Sequence, residues 1–522
     1  MSQPDIDKER LDSLTKEFFE ALFSAPGKTP TDEQRNTIAR LKKAADRENL
    51  TAPIVDLFLE LKKRRFESGL SPASFDLDAE KLTRLAMKHA VIDEHSVSIG
   101  GRVNKALPVV KDAIDRVDEY LNHKDITAPS GIDLWETILE TKEKIKARLK
   151  ISEDEWNSYS GQIKNCIDSV EDLSEIIEFP EAVIKEVTHV TRTFRMRLTP
   201  YYASLIQPGI SNDPVLLQCV PTGEMVDNTG EQIPPVAADH SPARLIDQFY
   251  PRVVTIKATN MCAMYCTHCL RIAHIGKKDR IYTDQAYEEA LNYIRNDPRI
   301  RDVLVTGGDS FVLPNKILDK ILCALDDIDH VKMKRLGTKI PVTAPQRVDN
   351  ELLDILAKSN DRKPVRVVTQ INTAQEMTPS SGDAFKRISQ NVFAVLNQAV
   401  LLKGINDTRI KMWKLCETIQ ENYVRPYYIF NCSYRNPQFT HLRVPVEVGQ
   451  DLVESMYGNI SGDAIPRYIA TAGGKIPLHK SNVEDVKEGV VVLKNPWNGK
   501  TVNYPDADAQ MYQNRSFAFK KE

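Results

Sequence analysis

Three cysteines fall within eight positions in "NMCAMYCTHCLR" (260–271): Cys262, Cys266 and Cys269. Thiolates bind metals, and a zinc ion would take four protein ligands in a structural site, or three plus water in a catalytic one. The other chemistry open to such a triplet is a four-iron, four-sulfur cluster held by three of its irons, with the fourth iron left for another ligand. The chain has eight cysteines, and the other five, Cys166, Cys219, Cys323, Cys416 and Cys432, are scattered, mostly in apolar runs that read as core. The odd count within one loop favours the cluster over zinc.

Two further stretches could do chemistry. "LVTGGDSF" sets Gly307, Gly308 and Asp309 at the end of a β-rich run. Glycines there let backbone approach a ligand closely, although the tripeptide alone is a common turn. "RYIATAGGKIPLH" (467–479) holds Lys475 behind Gly473 and Gly474. A lysine in that place is ordinarily a solvated turn residue. It becomes a nucleophile only if burial lowers its pKa enough to leave the amine unprotonated.

The elements that must position these residues begin near 250. The runs 252–259, 302–307, 333–338, 365–370, 393–400 and 425–430 are short and β-rich. Helical patterns lie between most of them, as in "TDQAYEEALNYIRN", "PNKILDKILCALDD" and "TRIKMWKLCETIQENY". Strand–helix alternation predicts a parallel sheet covered by helices. Six such units give an α/β fold of the partial barrel type, (βα)6, with reactive groups where strands end and loops begin. The cysteine triplet follows the first strand directly, and Asp309 follows the second.

The flanking regions read differently. Residues 1–150 are helical in pattern: Leu11, Leu14, Phe18, Leu22 and Phe23 form one stripe, and the segments 29–46 and 51–69 carry helix start and stop signals, including Pro53 and Gly69. The basic run Lys62 to Arg65 is read as a solvated face. Four regions result: a helical accessory domain over 1–150, a helical and irregular segment over 151–245, the partial barrel over 246–440, and a lysine-bearing region with a tail over 441–522.

With 522 residues, 41% hydrophobic and 27% charged, the chain can bury a large core. A net charge of −3 gives no case for a nucleic acid partner or an anionic membrane surface. No apolar run approaches the roughly 18 residues of a membrane span, and the polar start "MSQPDIDKERLDSL" is unlike a secretory signal. The expected compartment is the cytoplasm, where thiols stay reduced and clustered cysteines serve as ligands.

The triplet after a first strand, followed by "GGD" one strand later, resembles the radical S-adenosylmethionine (SAM) superfamily. The ordered set "TPYYASLI", "NDPV", "GGD", "PQRV", "NQAVLLKGIND", "RPYYIF" and "GGKIP" resembles, more narrowly, the lysine 2,3-aminomutase family over roughly residues 155 to 505. The resemblance implies a [4Fe-4S] cluster on Cys262, Cys266 and Cys269 and SAM beside Gly307, Gly308, Asp309, Arg271 and Gln398. It implies pyridoxal phosphate (PLP) on Lys475, with Tyr250 and Arg252 near its phosphate. Phe249 stands where the family has an arginine, and Arg252 is shifted by about one position. The implied activity moves an α-amino group of an amino acid to its β carbon, with a flavodoxin- or ferredoxin-like electron donor and a homo-oligomeric assembly. A lyase or dehydratase outcome shares the early steps, and a non-catalytic scaffold is the reading from another class.

The substrate pocket departs from lysine-acting members. Two aspartates that hold the distal ammonium there correspond to Ser433 and to Ala470 or Thr471, and an arginine after the second cysteine corresponds to Thr267. The expectation is a neutral or anionic side chain, with Lys339, Lys403 or Arg435 able to meet a carboxylate. The C-terminal cysteines that bind an interface zinc in lysine-acting members have no counterpart in "VNYPDADAQMYQNRSFAFKKE".

Overall fold

The computed structural model describes residues 107–209, 212–235, 240–275 and 278–513. The helix readings over 11–23, 29–46 and 51–69 lie outside them. Two compact units divide between Glu119 and Tyr120, which places residues 135–149 in the second. The reason is the apolar stripe of helix α1 (Trp135–Leu149). It buries Ile138, Thr141 and Ile145, spaced three and four apart on one face. Ile138 and Ile145 share one core with Ile151, Trp156, Leu173 and Leu205, and that core runs on to Met264, Leu402 and Phe439. Helix α1 therefore shares a core with the cysteine loop, which its helical composition alone does not reveal.

The main sheet has nine strands whose spatial order follows the sequence. They are β1 (Ile246–Tyr250), β2 (Val253–Thr259), β3 (Asp302–Gly307), β4 (Met333–Gly337), β5 (Val365–Thr369), β6 (Ala394–Leu401), β7 (Arg425–Asn431), β8 (Arg467–Thr471) and β9 (Lys475–Pro477). Strands β2 to β8 pair in parallel. Strands β1 and β9 close the edges antiparallel. The sheet curls into a half-barrel. The six runs read from sequence are β2 to β7, and β8 adds a seventh parallel strand.

Helices α2 (Asp284–Asn296), α3 (Asn315–Asp326), α4 (Asn350–Arg362) and α5 (Arg409–Glu421) cover the outer face. Their starts are chemically marked. Thr283, Asp349 and Thr408 each accept a backbone N–H from the first turn of the helix that follows, satisfying a donor that would otherwise be orphaned.

Strand alternation separates the two faces. On β2, Val254, Ile256 and Ala258 are buried while Val253, Thr255 and Lys257 are half-buried. Strand β3 repeats this with Val303 and Val305 against Asp302, Leu304 and Thr306. The half-covered face is the concave one, and it carries polar and aromatic side chains: Asp302, Arg335, Arg366, Gln398, Tyr428 and Phe430.

A second sheet follows, of β10 (Val483–Lys487), β11 (Val490–Lys494) and β12 (Thr501–Pro505), all antiparallel. The Tyr504 hydroxyl donates to Asn431 Oδ1 at 2.5 Å at the end of β7. Arg443 donates to the carbonyls of Pro505 and Asp506. These bonds fix the C-terminal sheet to the barrel. Among the described residues, no helix is long and apolar enough to cross a membrane.

Candidate functional site

The cysteine loop leaves the carboxyl end of β2. Cys262, Cys266 and Cys269 line one cavity, together with Arg195, Tyr265 and Thr267. Among the described residues no three Cys, His, Asp or Glu side chains converge on a point where a single metal ion would sit. Burial pushes all three upward, Cys266 to about 12 and Cys262 well above the ordinary thiol range, with Asp309 adding to the effect at Cys262. At Cys269 the neighbouring Arg271 works against burial. A metal that binds such a buried thiol takes the sulfur as thiolate and releases the proton to solvent, and three thiols on one loop fit an iron–sulfur cluster.

The end of β3 is pressed onto this loop. The Gly308 N–H donates to Thr259 O at 2.6 Å, and the Asp309 N–H to Met261 O at 2.8 Å. A Cβ at Gly307, whose φ is +116°, would overlap the Thr259 carbonyl, and one at Gly308 would overlap that of Met261. Only glycine permits this approach. The family resemblance places SAM beside Asp309. Here Oδ1 accepts the Phe311 N–H (2.9 Å) and Oδ2 the Lys339 N–H (2.6 Å), so the carboxylate ties the ends of β3 and β4 together. Burial outweighs these bonds and raises its pKa.

Thr267 is also structural. Its hydroxyl donates to Leu217 O at 2.9 Å and its N–H to Gln218 O at 2.9 Å. Gln438 Nε2 braces the loop at Cys269 O (3.3 Å). Arg271 is half-buried, its guanidinium 4.0 Å from Asp247 on β1.

The lysine site is assembled from distant segments. The Lys475 N–H donates to the Tyr250 hydroxyl at 2.7 Å, across 225 residues of sequence. The Lys475 amine lies 4.7 Å from the Tyr428 ring centre and 5.6 Å from that of Phe430. Burial, then the positive charge of Arg335, draws its pKa down to about 8, and Asp302 opposes the shift. Arg335 is itself held by Asp302, through Nε at 2.7 Å. An amine near 8 is unprotonated in about one molecule in ten at pH 7, against fewer than about one in a thousand for an ordinary lysine. Such an amine, walled by two aromatic rings and faced by a guanidinium, fits a cofactor that is both a carbonyl compound and an anion.

Gln398 on β6 is half-buried and in register with Tyr428, which brings it into the same neighbourhood. Arg252 is exposed in the β1–β2 turn, where its carbonyl accepts the N–H groups of Arg301 and Asp302. The guanidinium whose charge bears on Lys475 is that of Arg335. Phe249, at the position of the family arginine, meets Tyr250 edge to face at 5.0 Å.

Of the proposed pocket residues, Ser433 is half-buried and its hydroxyl accepts the Arg435 N–H at 3.2 Å. Ala470 is fully buried, whereas Thr471 is exposed and pairs with Lys475. Lys339 is committed to Glu376 and to Gln370 O. Arg435 is exposed and turned onto Tyr434, with Nε 3.1 Å from the Tyr434 oxygen. The sequence reading missed Arg335, Asp302, Tyr428, Phe430 and Trp497. For the first four there was a signal, a polar or aromatic residue set into a β-rich run.

Residues 256–412 match the family model of the radical SAM superfamily. The chain is 36% identical over 398 residues, 76% of its own length and 93% of the relative's, to a glutamate 2,3-aminomutase of Clostridioides difficile. It is 34% identical to an L-lysine 2,3-aminomutase of Clostridium subterminale, over 66% of this chain and 83% of that protein. To the L-lysine 2,3-aminomutase of Bacillus subtilis it is 35% identical, over 69% of this chain and 76% of that protein. A half-barrel with a cysteine triplet behind its first parallel strand and this breadth of likeness lead to one assignment: the chain belongs to the lysine 2,3-aminomutase family of radical SAM enzymes.

Proposed function

We propose that the protein is a PLP-dependent 2,3-aminomutase acting on an amino acid whose side chain does not end in a cation. The observation that carries the reading is Lys475, an amine drawn down to about 8 on the concave face that the cysteine loop also borders. When bound, a [4Fe-4S] cluster with SAM supplies a carbon radical that abstracts hydrogen, and PLP supplies a carbonyl for amines and a π system that spreads an unpaired electron.

The chain's own residues do the rest. Cys262, Cys266 and Cys269 would each hold one iron and leave the fourth for SAM. Gly307 and Gly308 let the end of β3 lie against the cysteine loop, so SAM would meet backbone there rather than side chains. Arg271 and Gln398 border that space. Lys475 would carry PLP, Tyr428 and Phe430 would wall it from water, and Arg335 is the cation for its phosphate. Asp302 keeps Arg335 in place through its Nε. A one-electron donor of the flavodoxin or ferredoxin kind would reduce the cluster.

Specificity follows from what the pocket lacks. A desolvated ammonium needs a charged partner, and Ser433 and Thr471 carry no charge. Glutamate, the substrate in the name of one relative, is the first candidate. The test is incubation of reduced, iron-loaded protein with SAM, PLP and a panel of amino acids. 5′-Deoxyadenosine and a β-amino acid of unchanged mass are expected from a neutral or anionic substrate. Loss of water or ammonia would point to elimination, and lysine turning over fastest would refute the pocket argument.

A further inference from the structure

The turn that presents Lys475 is covered from outside by one residue of the C-terminal sheet. Trp497 sits at the tip of the β11–β12 hairpin, "NPWNGK" (495–500). A Cβ at Gly474 would fall inside its indole ring, so the ring lies against the glycine where a side chain would be. Gly474 has a φ of +129°, and Gly473 before it +66°, so both residues need glycine for their conformation as well. The same indole meets the Tyr250 ring edge to face, centres 6.2 Å apart. Tyr250 is the residue whose hydroxyl takes the Lys475 N–H. Trp497 thus touches both supports of the lysine, the glycine before it and the tyrosine beneath it.

The hairpin tip is itself fixed. The Trp497 N–H donates to Asn495 Oδ1 at 3.2 Å, and the Asn495 N–H and carbonyl bond Lys500 O and the Gly499 N–H, each at 2.9 Å. Below the tip, Tyr504 ties the sheet to Asn431 at the end of β7. Strand β7 also carries the aromatic rings that flank the amine. The indole is therefore held in a frame tied to the lysine's own surroundings. It still leaves 48% of its surface in water, which a ring serving only as core filling would avoid.

We propose that Trp497 is a positioning residue for the lysine, a cover that holds the Gly473–Gly474–Lys475 turn against Tyr250 and keeps water from the amine. The inference rests on the reading of Lys475 as the PLP lysine. It adds that the C-terminal sheet belongs to the cofactor site. The two can fail separately.

The experiment compares wild-type protein with Trp497→Ala and Trp497→Phe, without SAM or substrate. PLP is added across a range of pH, its attachment to Lys475 is fixed with borohydride, and the release rate of unfixed PLP is followed by its visible band. Removing the indole should speed release by about tenfold or more. It should also move the pH midpoint of attachment upward from about 8, because exposure of the amine removes the cause of its depression. Phenylalanine should restore most of both effects. Tryptophan emission should fall on PLP uptake in the wild type, and that fall should shrink in Trp497→Phe, since the indole beside the lysine is then gone. Iron content should be unchanged in both variants. A Trp497→Ala protein that holds PLP with the wild-type release rate and midpoint would overturn the proposal alone, as would undiminished quenching in Trp497→Phe. Wild-type protein that never takes up PLP on Lys475 would overturn the parent reading and this one together.

Discussion

The cysteine loop and the lysine turn border the same half-barrel and are built on opposite plans. The loop is local in sequence and clamped by backbone. Two amide-to-carbonyl bonds and two glycines press β3 onto it, and the Asp309 carboxylate ties β3 to β4. The turn is held by side chains from far away, Tyr250 on one side and Trp497 on another, with Arg335 and Tyr428 setting the surroundings of the amine. The difference teaches which interactions each chemistry needs. A cluster needs thiols fixed by the main chain so that the metal is held rigidly. On the proposed function, the lysine needs instead a tuned environment around its amine.

If the two ends are independent, each can be destroyed without the other. Cys266→Ala should abolish iron binding and drop 5′-deoxyadenosine formation to background, while PLP still attaches to Lys475. Lys475→Ala should abolish β-amino product and the borohydride-fixed adduct, while iron content stays at the wild-type level. Loss of iron in the lysine variant would break the comparison. Gly308→Ala drives a methyl group into the Met261 carbonyl, and a backbone clash of this kind costs about 2–4 kcal/mol. Urea unfolding should show that loss, with reduced iron loading but little change in PLP uptake.

Acidity separates the two ends further. Lys475 reacts as the free amine, so attachment of PLP should rise with pH through about 8 and level off above it. At pH 7 it should run at about one tenth of the plateau rate. A midpoint near that of ordinary lysine would remove the tuning argument. The smallest effect is expected from Tyr250→Phe, which deletes the acceptor for the Lys475 N–H. One hydrogen bond of this kind is worth about 1 kcal/mol, and PLP should be held about fivefold more weakly, with the cluster unaffected.

The sequence alone determined whatever depends on near neighbours. The three cysteines stand out because their spacing is local. Strands β2 to β7 are legible because alternation of β-rich runs and amphipathic helices is a local signal. Lys475 is legible through the motif order that resembles a family. Tertiary structure decided the rest, because a side chain's partner across a sheet depends on register and curvature. It set the Asp309 carboxylate against backbone amides, paired Lys339 with Glu376, and brought the charge of Arg335 to bear on Lys475. Strand β8 escaped notice because five residues before two glycines carry too little pattern. The hairpin that brings Trp497 to Gly474 escaped because no local rule says which turn a distant indole will cover.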